Sequence, residues 1–272
     1  MAIITISRGT MSGGRKLAEM LTEKLGYRSV SREIIVKAAA DFGVKESKLF
    51  DAIRKRPTVL QKLTFERERY LAFIQASLCE YAKDDNLIYH GHAGHFLLKG
   101  ISHVLRIRIV ADMSYRIKAA MEEKQLSEEN AKKYIEQIDR DRKSWTKFLY
   151  GKDWTSAELY DLVINLEHTD FDCICDLVLH ATKHSCFNTT PESTIAMNNL
   201  LISSRVRAAL AKIQKIRLGS LDIKSDNGKV IIIGRSRSQE ISDSILEVAA
   251  KVPGVVKVDA HVDIDYKSFP IE

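Results

Sequence analysis

Gly9 and Gly14 bracket a short bend that opens onto two adjacent cations, Arg15 and Lys16. The chain enters the bend through Ile3-Ile4-Thr5-Ile6 and passes along Gly9-Thr10-Met11-Ser12-Gly13-Gly14. It leaves with Leu17, Leu21 and Leu25 at helical spacing and Gly26 as a stop. Glycines let backbone N–H groups converge on a phosphate, and a helix that starts there adds a favourable dipole. The spacing follows G-x-x-x-x-G-K-[ST] except at its last two places. Arg15 stands at the lysine position, where a planar guanidinium can still hold phosphate oxygens. Lys16 stands at the hydroxyl position and cannot ligate Mg²⁺. On the residues alone, two readings stay open: a phosphate loop or a plain strand-to-helix turn.

Phosphoryl transfer needs charge stabilisation more than covalent chemistry, and arginines on a lid are a common source of it. Ile138-Asp139-Arg140-Asp141-Arg142-Lys143 offers Arg140 and Arg142 on a helical stretch; its other reading is a solvated face of alternating charge. His90, His92 and His95 have the look of a metal cluster, since His-x-His at a strand end turns both rings the same way. No nearby cysteine or carboxylate completes such a set, and a pocket wall or ordinary packing is the alternative.

These groups need a scaffold, and the pattern supplies one. Short apolar strands are expected at residues 3–6, 87–89, 104–110 and 162–165. Helices are expected from Ser31 toward Gly43, from about Thr58 to Lys83, from Ser114 to Lys124 and from Glu128 to Tyr150 capped by Ser127. A further helix runs to His180 behind a capping box of Thr169 and Asp172. Alternating strands and helices predict an α/β fold, a parallel sheet covered on both faces, with ligands at the carboxyl ends of its strands. Those ends fall at Ser7–Gly14, His90–Gly94 and Ala111–Asp112. Residues 182–199, with Pro191 and many Ser, Thr and Asn, read as a linker. Beyond it come a helix from Ile202 to Ile216, two strands around Asp226-Asn227-Gly228, a helix from Ser238 to Lys251, and an alternating strand from Val256 to Ile264. That order is αββαβ.

At 272 residues the chain has room for two domains, and its 45% apolar and 29% charged content is that of a globular protein. The first strand begins at once and no apolar run reaches membrane-spanning length, so a cytoplasmic protein without a transmembrane segment is expected. Cys79, Cys173, Cys175 and Cys186 form no C-x-x-C pair and read as reduced thiols. The net charge of +6 is spread along the chain and gives a nucleic-acid partner little support.

Two family resemblances organise these features. Ile3–Arg8 with Ser12-Gly13-Gly14-Arg15-Lys16 resembles the cytidylate kinase-like branch of the P-loop nucleoside monophosphate kinases. The likeness continues at Ser31-Arg32-Glu33-Ile34-Ile35, Gly91-x-Ala93-Gly94, Ile138-Asp139-Arg140-x-Arg142 and Gly151-Lys152-Asp153-Trp154…Tyr160-Asp161. It covers about residues 1–183 and implies phosphorylation of CMP or dCMP with ATP and Mg²⁺. Gly9, Ser12, Gly13, Gly14, Arg15 and Lys16 would then bind the nucleotide. Arg15, Arg140 and Arg142 would be catalytic, and Ser31, Arg32 and His92 would face the acceptor; no metal ligand is identified. The family usually has glycine at Met11, aspartate at Ser31 and arginine at His92, so a catalytically degenerate nucleotide-binding regulator is the rival reading. Residues 198–272 resemble the BON module through Leu221-Asp222-Ile223, Asn227-Gly228-Lys229-Val230 and Val252-Pro253-Gly254-Val255. This implies a bacterial source and a protein or membrane-surface ligand. Residues 184–197 are expected to link the two domains.

Overall fold

The computed structural model describes residues 2–54 and 66–265, which divide into two compact units. The first takes in residues 2–33, 53–54 and Asp84–Ser193. The second takes in Ile34–Ala52 with residues 66–83 and 194–265. Helices between the second and third strands in sequence therefore group mainly with the C-terminal residues.

The first unit is built on a five-stranded parallel sheet of order β2-β3-β1-β4-β5. Its strands are β1 Ile3–Arg8, β2 Arg28–Val30, β3 Leu87–Tyr89, β4 Val104–Val110 and β5 Leu162–Asn165. β1 lies at the centre, with Ile3 opposite Val104 and Ile4 opposite Ile88. The helix α1 Gly14–Leu25 follows β1 directly, and its buried Leu17, Ala18 and Leu21 pack on Ile4, Ile6, Leu105, Ile107 and Ile109. Ile174, Cys175 and Val178 complete that layer. Gly26 closes α1 in a left-handed conformation, its N–H donating to the Thr22 carbonyl. β2 escapes sequence reading because it is three residues long with one apolar side chain; pairing with β3 makes it a strand.

Helix α2 spans Glu33–Phe42, α3 Glu46–Arg54, α4 Glu66–Ala82 and the short α5 Gly94–Leu97. The expected start of α4 near Thr58, with Pro57 before it, lies outside the described residues. α6 Met113–Lys124 is capped by Asp112 rather than begun at Ser114, and α7 Glu128–Tyr150 is capped by Ser127 as its sequence predicts. α8 spans Phe171–Thr182. Its cap is Asp170, whose carboxylate accepts the Cys173 N–H at 2.8 Å, while the Thr169 hydroxyl donates backward to the Asn165 carbonyl. The anticipated Thr169–Asp172 box is one residue out of phase.

Much of the expected linker is regular structure. Ser185–Phe187 makes a 3₁₀ turn, and α9 runs from Pro191 to Ala211. Pro191 reads as a breaker in the sequence, yet at the first position of a helix its missing N–H costs nothing. Thr190 and Ser193 exchange reciprocal backbone-to-hydroxyl hydrogen bonds at this start. The same helix ends at Ala211, short of the anticipated Ile216.

In the second unit a separate three-stranded sheet has the order β6-β7-β8: Leu221–Asp226, Lys229–Ser236 and Lys257–Ile264. β6 and β7 are antiparallel through Asn227 (φ 48°) and Gly228 (φ 83°), the two positive φ values of a type I′ turn. α10 Gln239–Ala250, capped by Ser238, crosses back so that β8 runs parallel to β7. The αββαβ order holds. In this unit the Phe42 ring also stacks on Phe73 at 4.4 Å, and Arg69 Nε donates to the Ala211 carbonyl at 2.6 Å.

Candidate functional site

The bend after β1 has two left-handed residues, Met11 (φ 62°) and Gly13 (φ 74°). Gly13 suits that conformation. Met11 does not, and its side chain instead packs against the small core of α6 and α7 formed by Ala120, Ala131 and Ile135. A Cβ on Gly13 would come within 2.6 Å of the Phe171 ring, and one on Gly14 within 2.5 Å of Arg8 Cδ. The bend is thus a cradle of bare backbone at the start of α1, whose first N–H groups have no intrahelical partner.

Asp139 ties this bend to α7. Its carboxylate accepts from the Thr10 N–H (3.1 Å) and hydroxyl (2.8 Å), pairs with Arg116, and lies 3.6 Å from Arg142. Arg116 Nε also donates to the Thr10 carbonyl at 2.8 Å, and Arg142 donates to the Arg8 carbonyl. The guanidiniums of Arg108 and Arg142 each lie 4.9 Å from the Trp154 ring. Below them, the Tyr160 hydroxyl donates to the Trp154 carbonyl at 2.7 Å and lies 3.1 Å from Ser7 Oγ.

These groups bound a pocket of about 360 Å³ whose lining includes Gly9, Ser12, Arg108, Arg116, Asp139, Arg140, Lys143 and Trp154. The Ser12 hydroxyl is buried, with no hydrogen-bond partner among the described residues. Arg108 is half-buried, which pulls its guanidinium below the usual value, and it has no ion-pair partner among the described residues. Arg108 donates to the Thr155 carbonyl but makes no salt bridge among the described residues, and with the partnerless Ser12 hydroxyl beside it the pocket suits an anionic oxygen-rich ligand. Cluster-forming metal ligands are another matter: among the described residues, no three His, Cys, Asp or Glu side chains converge.

Of the residues singled out in the sequence, Gly9, Ser12 and Arg140 line this pocket, Gly13 and Gly14 form the cradle, and Arg142 reaches it through Asp139 and Trp154. Arg15 and Lys16 are not in its wall. Arg15 turns along α1 to Glu19 at 2.9 Å, and Lys16 Nζ sits 4.5 Å over the Phe171 ring. Ser31, Arg32 and His92 follow the carboxyl ends of the paired strands β2 and β3, outside the pocket lining. Ser31 contributes its N–H to the Glu33 carboxylate at 2.6 Å.

Arg108 and Asp139 were not assigned roles by sequence reasoning. For Arg108 a signal exists: VLRIRIV puts two arginines into a strand that a parallel sheet should make apolar throughout. Arg106 is held by a bidentate pair with Asp161, while Arg108, two residues nearer the carboxyl end, donates to the Thr155 carbonyl and makes no salt bridge among the described residues.

His90 and His95 are held neutral by their surroundings. Burial pushes His95 down to about 3 and, with the Arg8 charge, His90 down to about 4. The unfolded chain, with histidine near 6.5, therefore binds protons first on acidification. Stability is full above about pH 6.5 and falls as pH drops toward 4, by up to about 1.4 kcal/mol per pH unit per histidine. Denaturant midpoints should decline between pH 6.5 and 5, above the carboxylate range; a flat profile there would contradict the burial of these rings.

Comparison with known proteins agrees with this geometry. The family model described as "Cytidylate kinase-like family" matches residues 3–168, and that of the BON domain matches residues 198–266. A cytidylate kinase from Ignicoccus hospitalis is 27% identical over 168 residues, 61% of this chain and 90% of that protein. One from Sulfolobus acidocaldarius is 28% identical over 181 residues, 65% of this chain and 91% of its own length. A solved structure of an uncharacterized protein from Eubacterium ventriosum shares the fold with TM-score 0.51 at 20% identity, covering 67% of this chain and 98% of that one. With more than half of its length matched, and with the strand, glycine cradle and arginine-lined pocket in place, the chain belongs to the cytidylate kinase-like family and carries a BON domain behind it.

Proposed function

We propose that this chain is an ATP-dependent nucleoside monophosphate kinase acting on CMP or dCMP. The observation that carries the proposal is the pocket joining the Gly9–Gly14 bend to Arg108, Arg140 and the Asp139-anchored Arg142. The residues fit a polyphosphate: glycines at Gly13 and Gly14 where a side chain would strike Phe171 and Arg8, a partnerless buried hydroxyl at Ser12, and the guanidiniums of Arg108, Arg116 and Arg140 in the same pocket lining. Bound ATP supplies the phosphoryl group, and Mg²⁺ held largely by phosphate oxygens and water offsets its charge. In this reading the amides of Gly13, Gly14, Arg15 and Lys16 receive phosphate oxygens at the start of α1, with Ser12 and Gly9 shaping the approach. Arg15 swings from Glu19 to the donor phosphates. Arg140 and Arg142 stabilise charge on the moving group, and Ser31, Arg32 and His92 orient the acceptor.

The domain assignment of this reading is residues 1–183 for catalysis and 198–272 for binding a protein or membrane surface. The αββαβ order and the BON match support the second part. Among the described residues no helix is long and apolar enough to cross a membrane, and all four cysteines are free. A bacterial, cytoplasmic setting belongs to the same reading.

One observation favours the regulator reading as the alternative: Arg15 is engaged with Glu19 at 2.9 Å. One experiment addresses the shared premise of both. Arg15 is exposed, so Arg15→Ala should leave the fold intact while removing the ATP-induced rise in melting temperature. That rise corresponds to about 2.7 kcal/mol at a hundredfold excess over Kd. Equal stabilisation of variant and wild type would take Arg15 out of the site.

A further inference from the structure

The second unit holds a cavity of about 530 Å³ that nothing in the kinase chemistry uses. Its size falls within the range of small-molecule sites, roughly 300–1,000 Å³. Three helices wall it: Phe42 closes α2, Ala209 and Ile213 come from α9 and the turn after it, and Val248 and Val252 come from α10 and its end. The walls are therefore aliphatic, with one aromatic face that is stacked from behind by Phe73.

The charged groups at this cavity are all cations: Arg205, Lys212 and Lys251. Two of them are engaged. Arg205 pairs with Glu80 at 2.5 Å, and Lys251 pairs with Glu247 at 2.5 Å. Lys212 has no ion pair among the described residues, and its Nζ lies 5.2 Å from the Phe42 ring centroid. No carboxylate lines the cavity. An apolar groove with one rim cation, Lys212, outside any ion pair among the described residues suits a ligand with a hydrocarbon body and one anionic head. A cation would gain nothing there, and a neutral hydrocarbon would leave the Lys212 charge without a counter-ion.

We propose that this cavity is a binding site for a small amphiphilic carboxylate, its hydrocarbon body against Phe42, Val248 and Val252 and its head at Lys212. The groove is open on one side, and its volume suits a single small molecule. The proposal does not rest on nucleotide binding in the first unit.

The test is calorimetric titration of the full chain with decanoate below its micelle concentration. Saturable binding with a negative heat-capacity change is expected. Lys212→Glu changes one exposed side chain and should weaken binding by about tenfold or more, the worth of one charge-assisted contact. Ala209→Trp fills the chamber and should abolish binding while the circular dichroism spectrum is retained. Decyltrimethylammonium, with the opposite head, should not bind. The proposal is overturned by failure to saturate at about 1 mM, a concentration that corresponds to only about 4 kcal/mol of binding. Equal binding by both variants, or equal binding of the cationic probe, would overturn it too. So would sedimentation with phosphatidylglycerol vesicles without binding of monomeric decanoate, which would make the face a membrane surface instead.

Discussion

Arg142→Ala is expected to lower kcat by about 10²–10³, the usual cost of removing one preorganised donor from developing charge. The affinity for ATP should change much less. The reason is the way Arg142 is held. Its guanidinium donates to the Arg8 carbonyl, faces the Asp139 carboxylate and stacks on Trp154, so its position is fixed before any ligand arrives. Donors fixed in advance act where charge is greatest, near the transition state, and their loss falls on kcat and kcat/KM together. Steady-state kinetics beside equilibrium ATP binding separates the two effects. Arg140 is a useful contrast: its side chain is 62% exposed and 3.5 Å from Glu136, so Arg140→Ala should cost less unless the helix rearranges on binding. A wild type with brisk turnover and an unchanged Arg142→Ala variant would remove Arg142 from the catalytic set.

Asp139→Ala should cost about 2–3 kcal/mol of folding stability, between the cost of breaking an exposed ion pair and that of breaking a buried one. Asp139 has only 23% of its side chain exposed, against 12% for Arg116 and 14% for Arg142. Removing the carboxylate leaves both guanidiniums facing one another and frees the Thr10 N–H and hydroxyl as well. Set against the 5–15 kcal/mol that typically separates folded from unfolded states, the loss is large. Denaturant unfolding followed by tryptophan emission measures it, because Trp145 and Trp154 both lie in the first unit. Asp139→Asn keeps an acceptor for Thr10 and should lose less. A loss below about 1 kcal/mol for the alanine variant, the range of an exposed pair, would mean the carboxylate is no hub.

The strands flanking the site were legible because they are bounded runs of β-branched residues. β4 and β5 have the residue limits their sequences suggest, and the helix that carries Arg140 and Arg142 has a serine cap and a glycine stop. The same clarity in Asn227-Gly228 gave the hairpin of the second sheet. What local pattern could not give was long-range. β2 exists only because β3 pairs with it, and α5, four residues long, is too short to show a face. Asp139 reads as one charge among many until the fold brings it across 129 residues to Thr10. Pro191 misled because breaker and helix-start signals are the same residue, separated only by whether a cap precedes it. Ser31 and His92, the residues proposed to orient the acceptor, are the least constrained by pattern, because each follows the end of a short strand that only long-range pairing defines.

The most direct test of phosphoryl transfer is ADP release from ATP-Mg²⁺ by the full chain, measured with CMP, dCMP and each other nucleoside monophosphate in turn. Turnover that depends on CMP or dCMP, and that falls in Arg142→Ala, is the predicted result. Silence toward every monophosphate at saturating ATP and Mg²⁺, with ATP binding retained, would contradict the kinase reading and leave a nucleotide-binding regulator in its place; His92→Arg would then be the first change made to restore activity.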